Sequence, residues 1–129
     1  MPKKKIGFIT TNRVLAQSLV AAIKHYPDLA FDSFLLLDGG QAVLDAEILN
    51  IDVAVIDVIE GATDETRTIS ALCGALRRVT PSCRLLLLLS QDDRAGRDMA
   101  IEAVKSKTAD DFVFYDTSLD YLLAKLIAL

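Results

Sequence analysis

The chain has 129 residues, 52% of them hydrophobic and 25% charged, with a formal net charge of -4. That length suits one domain, and the composition suits a compact core rather than disorder. The acidic balance argues against a basic face for gripping nucleic acid, and the longest apolar run, residues 85–89, falls far short of the roughly 20 residues that a membrane-spanning helix needs.

Lys3, Lys4 and Lys5 lead into a first strand expected over residues 6–9, and no signal-peptide pattern follows them. Thr10, Thr11 and Asn12 leave its end. Leu15, Leu19, Ala22 and Ile23 then recur at helical spacing, and Pro27-Asp28 ends that first helix. His25, late in this helix, stands where a helix end favours a cation, with no nucleophile beside it in sequence. A second strand is expected over residues 31–36, closed by a turn at Asp38-Gly39-Gly40. The second helix carries Val43, Leu44 and Ile48 and stops near Asn50.

The third strand covers residues 53–56 and ends on a lone carboxylate, Asp57, with Gly61 marking the turn beyond. Ile69, Leu72, Cys73 and Leu76 form the i, i+3, i+4, i+7 stripe of a third helix, broken at Thr80-Pro81-Ser82. The fourth strand, residues 85–89, is apolar at every position, as in strands covered on both faces. Gln91-Asp92-Asp93 then caps a fourth helix carrying Met99, Ala103 and Val104. A fifth strand covers residues 112–114. Ser118 caps the last helix, whose buried stripe is Leu119, Leu122, Leu123 and Leu126.

Strand and helix thus alternate five times with short connections. This predicts an α/β fold of one domain, a three-layer α/β/α sandwich around a five-stranded parallel sheet in the flavodoxin-like order 2-1-3-4-5. Ligand sites of such sheets lie at the switch point, here between strands one and three. Thr10, Thr11 and Asp57 are the residues at those strand ends. Cys73 and Cys83 have neither metal spacing nor partners, Cys73 falls on an apolar helix face, and the chain reads as cytosolic. No phosphate-binding glycine loop is found.

The segment 51–57, Ile-Asp-Val-Ala-Val-Ile-Asp, resembles the phospho-acceptor strand of response regulator receiver domains in two-component signalling. Residues 109–114, Ala-Asp-Asp-Phe-Val-Phe, are similar to the family's fifth-strand motif, and the likeness extends along nearly the whole chain. It implies a phospho-acceptor at Asp57, a phosphoryl-binding hydroxyl at Ser90 and a switch aromatic at Phe112. The family's metal-holding acidic pair and its lysine would stand at Thr10, Thr11 and Tyr115, so both are lost.

Phosphoryl transfer to an aspartate spreads negative charge over three oxygens and needs cationic stabilisation already in place. One carboxylate with two hydroxyls is a poor magnesium site, and neutral Tyr115 cannot replace an ammonium. Glu60, Asp92 and Asp93 lie on loops at the same sheet end, but Asp92 and Asp93 suit a helix N-terminus better than a metal. Asp57 is therefore read chiefly as an acceptor of hydrogen bonds from Thr10, Thr11 or backbone amides, and Ser90 as a strand-end hydroxyl. Phe112 is equally readable as core. Tyr115 either plugs the vacated pocket or lies half-buried at the surface.

These readings converge on a pseudo-receiver: a signalling and interaction module with no catalytic residue, metal or cofactor. Its partner would be another protein, a fused output domain beyond residue 129 or, through helices four and five, a second copy. Two alternatives stay open. One is a phosphorylatable receiver with an atypical metal site, and the other a small flavodoxin-like ligand-binding domain or enzyme.

Overall fold

A computed structural model describes residues 3–10, 12–26, 30–36, 39–58 and 65–129, without the side chains of residues 39, 40 and 65–68. Ten elements alternate: β1 (Lys4–Ile9), α1 (Arg13–Lys24), β2 (Phe31–Leu36), α2 (Gly39–Leu49), β3 (Val53–Asp57), α3 (Glu65–Val79), β4 (Arg84–Leu89), α4 (Arg94–Lys105), β5 (Asp111–Phe114) and α5 (Leu119–Ala128). All strand pairs are parallel, in the order β2-β1-β3-β4-β5. The order read from the sequence is the order found.

The strands partition their side chains by the two-residue period of a pleated sheet. Ile6, Phe8, Val53, Val55, Leu86, Leu88 and Val113 pack with Ala16 and Ile23 of α1 and with Leu122, Leu123 and Leu126 of α5. The alternate positions Ile9, Ala54, Ile56, Leu85, Leu87 and Leu89 pack under α2, α3 and α4, against Ala46, Ile69, Cys73, Leu76, Met99 and Ala103. Each fully buried leucine or isoleucine contributes about 1.5–3 kcal/mol. Both cysteines are free and buried in the second cluster, and desolvation pushes their thiols up to about 11. They pack as small hydrophobes with no thiolate at neutral pH.

The helix caps follow the sequence closely. Asn12 Oδ1 accepts from Leu15 N (3.0 Å), Asp93 Oδ1 from Gly96 N (2.9 Å) and Ser118 Oγ from Tyr121 N (3.1 Å), each filling an orphan donor of a first turn. His25 is the C-cap residue of α1. The lysines before the first strand do more than enter it. Lys4 Nζ donates to the carbonyls of Leu126 (3.5 Å) and Leu129 (3.1 Å), and Lys5 Nζ to that of Leu49 (2.9 Å). Two ammonium groups on β1 therefore meet the carbonyl ends of α5 and α2, where the helix dipole favours positive charge.

The second helix departs from its sequence reading. Gly39 and Gly40 belong to its first turn rather than to a turn closing β2. Leu44 and Ile48 are 56% and 78% exposed, while Ala42 and Ala46 are buried. Pro27, Asp28, Asp38, Glu60 and Gly61, each read above as a breaker, a turn or a nearby acid, lie outside the described residues, as does Thr11.

Candidate functional site

Ile9 of β1 pairs with Ile56 of β3, so the next residues, Thr10 and Asp57, leave the sheet side by side. Thr10 is buried, and its hydroxyl donates to Asp57 Oδ2 at 2.6 Å while accepting from the Asn12 amide at 3.0 Å. The chain of donors runs from the start of α1 through Thr10 onto the carboxylate. Asp57 Oδ1 is buried and has no hydrogen-bond partner among the described residues.

Desolvation raises the Asp57 carboxyl above its ordinary value of 3.8, and the Thr10 hydrogen bond lowers it by less. The folded state therefore holds this proton more tightly than the unfolded chain. The resulting stability is complete below 3.8 and is lost as pH rises through the folded value. At pH 7 the ionised carboxylate costs stability. Asp57→Asn is thus expected to raise the melting temperature at pH 7. The gain should fade as pH drops through the folded value and vanish below about 3.8, as thermal melts across pH would show.

The remaining residues read from the sequence fall at the same end of the sheet. Ser90 follows β4, and its hydroxyl accepts from the Asp92 amide at 3.3 Å, closing the turn that leads to the Asp93 cap. Tyr115 follows β5, with its amide bonded to Leu89 O (2.9 Å). Its ring is 41% exposed, yet its hydroxyl reaches the carbonyl of Val58, the residue after Asp57, at 3.4 Å. Tyr115 thus lies at the surface, with its hydroxyl reaching across β4 toward the acceptor strand. Phe112 is half-buried against the α2–α4 cluster, edge-on to Phe114 with ring centres 5.8 Å apart.

The cations lie elsewhere. Among the described residues the ion pairs join Lys3 to Asp32, Arg77 and Arg84 to Asp110, and Lys125 to Asp111, and none involves Asp57. No group of three His, Cys, Asp or Glu able to hold a metal occurs among them. A divalent cation at Asp57 would find one carboxylate and a hydroxyl already committed to it. The described residues do not fit magnesium, which wants an octahedral shell built on one or two accessible carboxylates.

Sequence reasoning missed Asp110, which accepts three hydrogen bonds at the opposite end of the sheet. Its Oδ2 accepts from Leu85 N (2.7 Å) and Arg77 Nη2 (3.0 Å), and its Oδ1 from Arg84 Nη1 (3.3 Å). It joins the start of β4 to the end of α3 and the entrance of β5. Nothing local in the sequence marks it, since its partners Leu85 and Arg77 lie 25 and 33 positions away.

No protein-family model and no curated protein matches the sequence. Solved structures do match. A two-component response regulator from Clostridium difficile superposes with a TM-score of 0.76 at 20% identity, over 98% of this chain and 94% of that one. The receiver domain of the Francisella response regulator 1452 gives 0.71 at 22%, over 96% and 93%. A structure described as an adenylate cyclase from Rhodopirellula baltica gives 0.75 at 18%, over 98% and 86%. With the strand order and the position of Asp57 at the end of β3, these superpositions give the chain the fold of response regulator receiver domains.

Proposed function

We propose that this chain is a pseudo-receiver, a signalling and interaction module that regulates an attached or partner output domain without aspartyl phosphorylation and without enzymatic activity. The observation that carries this reading is the Thr10–Asp57 hydrogen bond of 2.6 Å in a site with no cation among the described residues. A receiver acceptor needs charge placed around it in advance, and a hydroxyl supplies none. The experiment is incubation with acetyl phosphate or beryllofluoride and millimolar magnesium, read by intact-mass spectrometry. No adduct is expected. A stoichiometric adduct on Asp57, absent in Asp57→Asn, would overturn the reading.

The working surface in this reading is the face of α4, β5 and α5. Ile101 and Tyr121 are exposed there, and Lys125 ties α5 to Asp111 of β5 at 2.5 Å while lying 5.6 Å over the Tyr121 ring. The salt bridge and the apolar residues beside it suit a protein partner, an output domain or a second copy. Light scattering at rising concentration tests self-association. A dimer lost in Tyr121→Asp is the expected result, and a monomer throughout removes the second copy from the partners.

A further inference from the structure

We propose that the cleft between α1 and α5 binds one small, neutral, mostly apolar molecule of the size of a phenol. The cleft holds about 140 Å³ and opens beside the candidate site. Leu15 and Leu19 of α1, Leu88 of β4, and Leu119 and Leu122 of α5 line it, and Tyr115 forms part of its wall. Leu88 and Leu122 are buried and make its floor, whereas Leu15, Leu19 and Leu119 converge on it and stay only half-buried. Their apolar surface is what a ligand would cover.

Size and chemistry of the ligand follow from the lining. The cleft's volume of about 140 Å³ has room for one aromatic ring, since an enclosed apolar cavity of about 150 Å³ accommodates benzene. No lining residue carries a charge, and Thr117 and Ser118 add hydroxyl groups. An ionised ligand would lose its hydration with nothing to replace it, while a single hydroxyl finds partners of its own kind. Tyr115 belongs both to this cleft and to the site, through its hydroxyl on Val58 O next to Asp57. Occupancy would press on a residue that touches the acceptor strand. Only the use of this contact as a signal input rests on the pseudo-receiver reading; binding does not.

The test is a titration of the 129-residue chain with p-cresol, followed by leucine-methyl NMR. Saturable shifts are expected at Leu15, Leu19, Leu88, Leu119 and Leu122. Benzoate, the same ring with a charge, should bind at least about tenfold more weakly. Leu19→Trp fills the cleft and should abolish the shifts. Leu15→Phe serves the same purpose should the tryptophan variant lose its dispersed spectrum. Absence of saturation up to the solubility limit, shifts centred on other residues, or equal binding of benzoate would each overturn the proposal. The beryllofluoride experiment reads Asp57 alone, so failure of either idea leaves the other standing.

Discussion

Replacing Thr10 and Thr11 by aspartate and Tyr115 by lysine is expected to raise the rate of Asp57 labelling by acetyl phosphate by on the order of 10²-fold or more. The parent site offers the transferring group a hydroxyl already bonded to the acceptor and a tyrosine whose hydroxyl faces the Val58 carbonyl. The variant would add two carboxylates able to hold magnesium and one ammonium, so charge would be in place before the phosphoryl group arrives. Single substitutions should give far less, because such groups act as a unit. The same variant carries a built-in control. Thr10→Asp replaces a hydrogen-bond donor 2.6 Å from Asp57 Oδ2 with a like charge. Without divalent cation its melting temperature should fall below that of the parent, and millimolar magnesium should restore it. A melting temperature indifferent to magnesium, with no labelling, would show that the scaffold cannot rebuild the site.

The second large effect is structural. Asp110→Ala should destabilise the chain by about 2–3 kcal/mol, because it leaves the buried Leu85 amide unpaired and strips Arg77 and Arg84 of their shared carboxylate. For a domain of this size that is a melting-temperature loss of roughly 6–12 °C. Asp111→Ala is the comparison. Its carboxylate accepts from the adjacent Phe112 amide (2.8 Å) and pairs with Lys125 where both side chains are 30% exposed, and such pairs are worth at most about 1 kcal/mol. Two adjacent aspartates, each in a salt bridge, should therefore differ severalfold. Equal losses in the two variants would mean that the amide bond to Leu85 carries little of the energy.

Strand order was legible because strand and helix alternate five times with short connections, which implies a doubly wound parallel sheet, and the apolar runs at β3 and β4 fit strands covered on both faces. The caps at Asn12, Asp93 and Ser118 were legible because their chemistry is local. The packing face of α2 was not. Its buried contacts are the small Ala42 and Ala46, which allow close approach to the sheet, so its larger residues Leu44 and Ile48 point to a wrong face. At the site, the Thr10–Asp57 contact could be anticipated from strands that end at one switch point. The reach of Tyr115 to Val58 and the bonds from Lys4 and Lys5 to helix ends could not, since each joins segments that only the finished fold brings together.

Those lysine bonds bear on the order in which the molecule assembles. Lys4 meets carbonyls 122 and 125 positions further along, and β1, second in the sheet, waits for β3 before it has a neighbour on its inner side. The layer of α1 and α5 is thus completed by a helix that lies more than a hundred positions from β1. Elements with fewer buried side chains open locally at lower free energy than core strands, and α5 buries Leu122, Leu123 and Leu126 where β3 and β4 are buried almost throughout. Amide protons of α5 would then exchange with solvent ahead of those in β1, β3 and β4, and the Leu15–Leu119 edge of the molecule would breathe while the opposite layer stayed shut.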